Sequence, residues 1–486
     1  MGDNFQTPSP LPAQAAEPQQ QPTPQNATLL QAFEWYIPPD HGHFLRLSSQ
    51  IPQLSQHGIS SLWIPPSCKA TSPQSNGYDI YDLYDLGEFS QKGSTATKWG
   101  TKSQLLELAQ KGQEYGVGLY WDAVLNHRFG ADHREKCKAV EVDANNRNVR
   151  ISGRWARSPE EVDGEKGNYD YLMGCDLDYS HPEVEEDVLN WGRWLVKEVP
   201  IRGIRFDAVK HFSEGFLRKF VKMLDGEFGE GWFLVGEFWK DSLKTDYLDR
   251  MDHKFSLFDA PLVYNFGEIS TSVSADLRKV FDDTLVQKAP VCAVTLVQNH
   301  DTQPLQALAV PITPWFLPLG YALILLREAG YPCVFYGDLY GLCTPTSDNP
   351  SPTRPTSGPV TILPKLLLAR KLYAYGPQTD YFDYQTCIGW VRHGTWDRKD
   401  KCAVVMSNAA EGWKRMFIGA ECAGQRWTDV LGWRGEVVTV GEDGWAEFRC
   451  GGCSVSVWAW DGAKGREEFG GEFDFDIYGS ESEGTN

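Results

Sequence analysis

Eight short apolar segments, separated by polar loops and by stretches with helical period, constrain the fold of this 486-residue chain more than any other feature. The intervening stretches 102–116 and 213–228 repeat apolar residues every three to four positions, which is typical of amphipathic helices. Strands that alternate with helices predict a parallel sheet, and eight such units predict an α/β fold, a closed (β/α)8 TIM barrel. The eight apolar segments are TLLQAFEWY (28–36), ISSLWIPP (59–66), GVGLYWDAVLNH (116–127), IRGIRFDAV (201–209), WFLVGEF (232–238), FSLFDAP (255–261), VCAVTLVQNHD (291–301) and YPCVFYGD (331–338).

The rest of the chain is arranged around this barrel. A long charged and aromatic insertion after the third strand predicts a short excursion domain. Beyond residue 375 the helical period gives way to short alternating segments, which predict a C-terminal antiparallel β-sandwich domain. Both ends are too poor in apolar residues to fold by themselves, so we expect them to be disordered. The predicted units are a Pro- and Gln-rich arm (1–26), the barrel (27–127 and 179–375), the excursion domain (128–178), the β domain (376–461) and an acidic tail (462–486).

The composition restricts the classes of partner. The formal net charge is −19, with 46 basic against 65 acidic residues, which argues against nucleic acid and against an anionic membrane surface. No apolar stretch reaches the roughly 18 residues of a membrane span, and the N-terminus lacks the basic start and apolar run of a secretory signal. The 11 cysteines are scattered without a paired framework, as expected of reduced thiols. We therefore expect a cytoplasmic protein; its oligomeric state is left open.

Ionisable residues collect at the ends of four predicted strands. The carboxyl ends of the strands of a (β/α)8 barrel meet at one face, where active sites are built. Three neighbouring sectors, the third to the fifth, therefore present acids to one mouth, and the seventh adds another. Together with imidazoles and a guanidinium, this set predicts a catalytic site. The residues are Asp122, Asn126 and His127 after the third apolar run, Arg205, Asp207, Lys210 and His211 after the fourth, Glu237 after the fifth, and His300 and Asp301 after the seventh.

Two carboxyl groups that flank a bond are the requirement of glycoside hydrolysis. Asp207 lies two residues from Arg205, whose positive charge should hold it ionised, as suits a nucleophile. Glu237 lies between apolar neighbours, which favours the protonated form of a general acid. Asp301 would bind sugar hydroxyls and stabilise an oxocarbenium-like transition state. If Asp207 attacks carbon, the two working carboxyls should lie about 5–5.5 Å apart and the anomeric configuration should be retained.

The motifs DAVLNH, GIRFDAVKH, GEFW and VQNHD, in this order, resemble those of the α-amylase family, glycoside hydrolase family 13. Stretches such as FEWYIP, GISSLWIPP, YDLYDLGEF and YPCVFYGDLYG are similar to the bacterial liquefying α-amylases and to the intracellular fungal enzymes grouped with them. The resemblance implies endo-acting, retaining hydrolysis of α-1,4-glucosidic bonds in starch, glycogen or maltooligosaccharides. It assigns Asp207 as nucleophile, Glu237 as acid/base and Asp301 as transition-state stabiliser. The implied substrate contacts are Tyr78, His127, Arg205, Lys210, His211 and His300.

The same resemblance implies one structural calcium ion between the barrel and the excursion domain. Asn126, Asp170 and Asp176 match the side-chain ligands, and His211 matches a ligand that uses its backbone carbonyl. All four supply oxygen, as a hard cation such as Ca²⁺ requires.

Two other functions stay open on the sequence. A 4-α-glucanotransferase would use the same carboxyls and pass the covalent glucosyl intermediate to a sugar rather than to water. A catalytically silent binding subunit would keep the fold without turnover, although such relatives usually lack one of the three acids. Product analysis on maltooligosaccharides distinguishes these possibilities.

Overall fold

The computed structural model describes residues 21–132, 172–240 and 245–479. Within these residues eight parallel strands form a closed barrel, and each strand lies in one of the eight predicted apolar segments. The first and last strands close the ring, with Leu30 opposite Val334. Most of the predicted excursion domain, including Asp170, lies outside the described residues, as does most of the arm. The barrel strands are β1 (Leu29–Gln31), β2 (Ser61–Trp63), β3 (Gly118–Ala123), β4 (Ile201–Phe206), β5 (Phe233–Gly236), β6 (Ser256–Phe258), β7 (Ala293–Leu296) and β8 (Tyr331–Phe335).

The barrel strands are apolar because both of their faces are covered. Every residue of β1 and β7 is buried, as expected for parallel strands enclosed by helices. The predicted helices are confirmed, since one begins after the Thr101 capping box and the other after Ser213, whose side chain accepts from Phe216 N. The helices are α1 (His43–Gln56), α2 (Lys102–Glu114), α3 (Pro182–Glu198), α4 (Glu214–Phe228), α5 (Thr245–Arg250), α6 (Ala260–Ser270), α7 (Leu285–Lys288), α8 (Leu317–Leu325), α9 (Tyr336–Tyr340) and α10 (Leu363–Tyr373).

Two short antiparallel pairs lie at the catalytic end of the barrel. Lys69–Ala70 pairs with Ile80–Asp82, and His127–Arg128 pairs with Cys175–Asp176. The second pair joins the end of the third barrel segment to the far end of the predicted excursion domain. It places Asp176 opposite His127, the residue that follows the candidate calcium ligand Asn126.

The C-terminal domain is antiparallel, as predicted. Its larger sheet has the order β9-β10-β11-β16-β13-β14, and a two-stranded ribbon of β12 and β15 covers one face of it. Met416, Phe448 and Trp458 pack between the two layers. The other face packs on the barrel, where Trp390 Nε1 donates to Leu326 O at 3.2 Å. The strands are β9 (Gln378–Tyr384), β10 (Cys387–Arg392), β11 (Cys402–Ser407), β12 (Gly412–Phe417), β13 (Arg426–Asp429), β14 (Val438–Thr439), β15 (Trp445–Cys450) and β16 (Ser454–Trp460).

The expectation of a disordered acidic tail is wrong for residues 462–479. Ile477 is buried, the Arg46 guanidinium lies 4.8 Å from the centre of the Tyr478 ring, and the Asp474 backbone exchanges two hydrogen bonds with the Gln53 side chain. The acidic residues of FDFDIY alternate with apolar ones, so one side of this segment can be buried while its carboxylates stay in water.

The end of the N-terminal arm is also held. Asn26 Nδ2 donates to Arg370 O at 3.0 Å and to Ala374 O at 2.8 Å, and Thr23 bonds to Asp397. The predicted disorder therefore does not extend through residues 21–26. In the parts of the chain that the structure covers, no helix is both long and apolar enough to cross a bilayer.

Candidate active site

The backbone ladders of the barrel place the two central acids side by side. Asp207 directly follows β4, and its N–H donates to Ala123 O at 3.0 Å. Glu237 directly follows β5, and its N–H donates to Phe206 O at 2.9 Å. Because these bonds continue the parallel pairing, both carboxyls leave the sheet at the same face. Asp207 and Glu237 therefore lie side by side at one end of the barrel.

A single guanidinium group joins three carboxyl groups at this mouth. Arg205 Nη1 donates to Asp122 Oδ1 at 2.6 Å and to Asp207 Oδ1 at 2.7 Å, while Nη2 donates to Glu237 Oε2 at 2.8 Å. The Arg205 side chain is only 1% exposed. Planar, charge-assisted hydrogen bonds of this kind fix position as well as charge, so Arg205 sets the relative placement of Asp207 and Glu237.

Asp122 anchors this arrangement. Its Oδ2 accepts from Trp63 Nε1 and from the Tyr78 hydroxyl, both at 2.9 Å, while Oδ1 accepts from Arg205. Asp122 lies within β3 and is fully enclosed. The three donors come from β2, from the loop after β2 and from β4. Asp122 therefore fixes the orientation of Arg205 from inside the barrel.

The surroundings of Glu237 differ from the apolar setting predicted for it. Its Oε2 accepts from Ala208 N at 3.1 Å as well as from Arg205. Ala208 has φ of 49°, a left-handed conformation that is unfavourable for a residue with a Cβ atom. This strained turn directly after Asp207 aims the Ala208 N–H at Glu237, so a polar hydrogen-bonding environment holds the carboxyl.

Burial dominates the electrostatics of the acid cluster. It raises the pKa of Asp207 well above the ordinary value; Arg205 opposes this rise, and the Glu237, Asp122 and Asp301 carboxylates add to it. Burial and the Glu237 charge raise the pKa of Asp301 to about 7. The expectation that Arg205 keeps Asp207 ionised is therefore wrong for the free protein, because one guanidinium shared by several acids does not offset their burial and repulsion. Asp207 and Asp301 therefore keep their protons to higher pH than isolated carboxyls do.

Three parallel rings form a wall beside the acids. The Tyr78 and His300 ring centres are 5.2 Å apart with planes 4° apart, and Trp35 lies parallel to both at 5.9 and 6.0 Å. His300 Nδ1 is 2.9 Å from Gln31 Nε2, and its Nε2 is 3.4 Å from Asp301 Oδ2. Since the Gln31 amide is a donor, Nδ1 accepts and Nε2 carries the proton that faces Asp301. Burial, followed by the Arg205 charge, keeps the pKa of His300 well below its ordinary value.

The remaining predicted contacts lie on the segments that follow β3 and β4. His127 Nε2 is 2.8 Å from Tyr78 O, and burial lowers the His127 pKa to about 4. Lys210 Nζ donates to Trp239 O at 2.9 Å, and His211 N donates to Ala208 O at 2.8 Å. His127 thus supports the backbone of Tyr78, and Lys210 joins the segments that follow β4 and β5.

Comparison with known proteins identifies the family. Residues 31–351 match the profile described as "Alpha amylase, catalytic domain", and residues 403–459 match "Alpha-amylase C-terminal". The chain belongs to the alpha-amylase family. It is 40% identical to an alpha-amylase of Bacillus licheniformis over 89% of this chain and 93% of that protein, and 40% identical to a glucan 1,4-alpha-maltohexaosidase of Bacillus sp. strain 707 over 89% and 92%. It is 39% identical to a cytoplasmic alpha-amylase of Escherichia coli K12 over 89% and 98%.

Solved structures share the alpha-amylase fold of this chain. An Anoxybacillus alpha-amylase superposes with a TM-score of 0.66 at 18% identity, over 90% of this chain and 97% of that one. An alpha-amylase of Malbranchea cinnamomea superposes with a TM-score of 0.63 at 19% identity, over 90% and 98%.

Three residues of this alpha-amylase site, Trp63, Trp35 and Gln31, carry no role in the sequence prediction. The signal for Trp63 was available, because it ends a strand that pairs with the strand of Asp122 and enters the same mouth. Trp35 and Gln31 gave no comparable signal. Their contacts with His300 depend on the conformation of the segment after β1, which strand periodicity does not determine.

The residues that would hold the family's calcium lie close together where the structure describes them. Leu177 N donates to the backbone carbonyl of Asn126 at 3.0 Å, and Asp176 is buried on the adjoining strand. Among the described residues, the buried Asn126 Oδ1 and Asp178 Oδ2 have no hydrogen-bond partner. Orphaned buried oxygens of this kind suit a hard cation. Among the residues described, no group of three or more His, Cys, Asp or Glu side chains forms a metal site alone.

Proposed function

We propose that this protein hydrolyses internal α-1,4-glucosidic bonds of α-glucans with retention of configuration, using Asp207, Glu237 and Asp301. The observation that carries the proposal is the Arg205 guanidinium, which holds Asp207 and Glu237 on its two ends at 2.7 and 2.8 Å. The close spacing implied by one bridging group favours a nucleophile and an acid/base over two groups separated by a water molecule. The names of the relatives, alpha-amylases and a maltohexaosidase, agree with this substrate class.

In the first step Asp207 attacks the anomeric carbon while Glu237 donates its proton to the departing glucosidic oxygen. The carbon–oxygen bond to the leaving sugar breaks, and an ester bond to Asp207 forms. The hydrogen bond from Arg205 engages Asp207 Oδ1, so Oδ2 is the attacking oxygen. Asp207 reacts as the carboxylate, and the one proton that moves in this step passes from Glu237 to the departing oxygen.

In the second step Glu237, now ionised, removes a proton from water, and the hydroxide oxygen attacks the anomeric carbon from the face that the leaving sugar vacated. The ester bond breaks, Asp207 is released as a carboxylate, and two inversions give net retention. Asp301 binds the sugar hydroxyls and stabilises the positive charge on the ring in both transition states. Its position next to the His300 Nε2–H supports this role.

The flat wall beside the acids suits a pyranose ring. The Tyr78 face can stack on the apolar face of the sugar, and the His300 Nε2–H can hydrogen-bond its hydroxyl groups. Both ring nitrogens of His127 are engaged, by Tyr78 O and by Asn126 Nδ2, so His127 acts by holding Tyr78 in place. Lys210 and His211, on the segment after Asp207, contact the leaving-group side. All these contact residues are neutral or basic, so they add no negative charge to that of the central acids.

A structural calcium ion belongs to the proposal. Asn126 Oδ1, an Asp176 carboxylate oxygen and the His211 carbonyl would hold it, with Asp170 from outside the described residues. The buried Asn126 Oδ1, which has no partner in the part of the chain that the structure covers, supports this ligand set. When bound, the ion contributes stability by joining the barrel to the following insertion, and it takes no part in the chemical steps.

The proposed setting is cytoplasmic. The relative from E. coli carries this location in its name, and the ten cysteines in the described segments are all free thiols, as in reducing compartments. Glycogen or maltooligosaccharides would then be the available substrates.

The test is a time course with maltoheptaose and with soluble starch, following reducing ends and product lengths together. Hydrolysis predicts a steady rise in reducing ends and short products in the α configuration. Products longer than the donor, with constant reducing ends, would replace this proposal by a glucanotransferase. No change in either measurement would indicate a silent binding subunit.

A further inference from the structure

The outer face of the β12–β15 ribbon exposes large aromatic rings. Both strands alternate between buried and exposed residues, so every second side chain points away from the sandwich core. Trp413 and Phe417 on β12 are 55% and 38% exposed, and Trp445 on β15 is 36% exposed. Exposed strand positions usually carry polar residues, whereas clustered exposed aromatic rings are typical of binding surfaces.

Phe417 and Trp445 form a cluster at one end of the ribbon with a third ring, that of Tyr381 on β9. Phe417 lies directly opposite Trp445 in the strand register, with ring centres 5.6 Å apart. The Tyr381 ring is 6.4 Å from Trp445, and its hydroxyl accepts from Phe417 N at 2.8 Å. Trp413 lies four residues along the strand from Phe417, about 13 Å away in an extended strand. The rings are therefore fixed on a rigid sheet and spread over the length of a short oligosaccharide.

The charged groups of this face are paired with one another. Arg415 donates to Asp443 at 2.8 Å while its guanidinium lies 5.6 Å from the Trp445 ring centre. Arg449 donates to Glu447 at 2.6 Å. A charged partner would have to break these pairs, whereas a neutral ligand rich in hydroxyl groups can hydrogen-bond to them as they stand. The net charge of −19 further disfavours an anionic partner.

We infer that Tyr381, Trp413, Phe417 and Trp445 form a second carbohydrate-binding surface, the ribbon platform, whose ligand is a neutral α-glucan chain. Aromatic faces stack on the apolar faces of pyranose units, and the paired Arg and Asp side chains bind the hydroxyl groups at their edges. The inference rests on the proposed function, which makes α-glucan the substrate class of the enzyme.

The ribbon platform is separate from the active site. The six-stranded sheet lies between the ribbon and the barrel, since its one face packs on the ribbon and its other face packs on the barrel. A polymer held on the platform stays at high local concentration near the catalytic mouth, which increases its capture through two-site binding. A short oligosaccharide that fills only the active site gains nothing from the platform.

The experiment compares wild type with a variant that carries Trp413→Ala, Phe417→Ala and Trp445→Ala. Native electrophoresis through gels that contain glycogen measures binding to the polymer, and kcat/KM on maltoheptaose measures the active site. We expect the apparent Kd for glycogen to rise about tenfold or more, with kcat/KM on maltoheptaose within about twofold of wild type. Active-site binding contributes equally to both proteins, so the difference reports the platform.

Two further variants sharpen the test. Trp396→Ala removes an exposed tryptophan outside the platform, 51% exposed, and should leave glycogen binding unchanged. Trp445→Phe keeps a ring in place and should retain most of the binding that Trp445→Ala removes, provided that both melt at the wild-type temperature.

Unchanged glycogen binding in the folded triple variant overturns the ribbon platform even if maltoheptaose is hydrolysed. If the wild-type protein leaves both maltoheptaose and starch unchanged, the proposed function is refuted instead. A change in size-exclusion volume on mutation would show that the face joins two copies of the chain, which also overturns the inference.

Discussion

Arg205 Nη1 lies 2.6 Å from Asp122 Oδ1, and this acid is more deeply enclosed than either carboxyl that we propose to react. The side chains of Asp207 and Glu237 are 9% and 14% exposed, against 0% for Asp122. Asp122 thus faces the interior of the barrel while its two neighbours on the same guanidinium face the mouth. The position of the reacting pair depends on an acid that the substrate does not reach.

Asp122→Asn tests this dependence. The amide keeps the size of the side chain but removes the charge that holds Arg205, so Asp207 and Glu237 should lose their alignment. We expect kcat on maltoheptaose to fall about 10²-fold with a much smaller change in KM. Asp380→Asn is the matched control, because it breaks another Arg–Asp pair, with Arg327 at 2.8 and 2.9 Å. A kcat close to that of the control would contradict the positioning role.

The separate roles of Asp207 and Glu237 predict different responses to the leaving group. Glu237→Gln should lower kcat on maltoheptaose about 10²–10⁴-fold, because the departing sugar loses its proton donor. An aryl maltooligosaccharide with a nitrophenol leaving group needs little protonation, so its first step should be largely spared. Asp207→Asn should be inactive on both substrates. Pre-steady-state release of nitrophenol measures the first step, and equal damage by both variants on both substrates would refute the assignment.

The raised pKa values of Asp207 and Asp301 predict an unusual acid limb of the pH profile. A carboxyl stays protonated at any pH below its pKa. Asp207 must be ionised to attack and Asp301 to stabilise positive charge, so activity should appear only as the pH rises through their raised pKa values. The pKa of Asp301 is raised to about 7, whereas an ordinary Asp titrates near about 4. The acid limb of kcat/KM should therefore lie well above pH 4. A limb at the ordinary carboxyl value would show that Arg205 outweighs burial in the working enzyme.

The barrel was predictable from the sequence because its strands are buried on both faces. β7, whose residues Ala293–Leu296 are all buried, has no polar alternation that could be mistaken for a surface strand, and turns and helices separate it from its neighbours. The acids at the mouth were predictable for the same reason, since Asp207 and Glu237 each follow an apolar run directly. A strand end fixes which side of the barrel a residue occupies.

The parts that depend on loop geometry were not predictable. The stacking of Trp35 on Tyr78 and His300 joins three loops whose conformations no periodicity specifies. The charge state expected for Asp207 was wrong because the sequence shows its neighbour Arg205 but not the burial of both. The tail was misjudged because its acidic composition hides the alternating apolar residues around Ile477, which find a groove only in the folded protein.

Calcium removal tests the proposed metal ligands. A bound ion that joins the barrel to the following insertion stabilises only the folded chain, so excess Ca²⁺ should raise the Tm and a chelator should lower it. Asn126→Ala removes a buried Oδ1 that has no hydrogen-bond partner within residues 21–132, 172–240 and 245–479, and its Tm should no longer respond to calcium. Asn265→Ala, which removes an amide bonded to Val280 O elsewhere in the barrel, should keep the full response. A calcium response that survives Asn126→Ala would exclude this ligand set.

The docked tail should contribute measurably to stability. Ile477 is 4% exposed and belongs to the main hydrophobic cluster, so Ile477→Ala should lower the free energy of unfolding by about 2–5 kcal/mol, through lost burial and the cavity left behind. Glu472→Ala, at an exposed position of the same segment, should change it by less than about 0.5 kcal/mol. Urea denaturation followed by tryptophan fluorescence measures both. The active site lies elsewhere, so kcat on maltoheptaose should be unchanged in the two variants at temperatures where both are folded. Equal stability of the two variants would mean that the segment is not docked in solution.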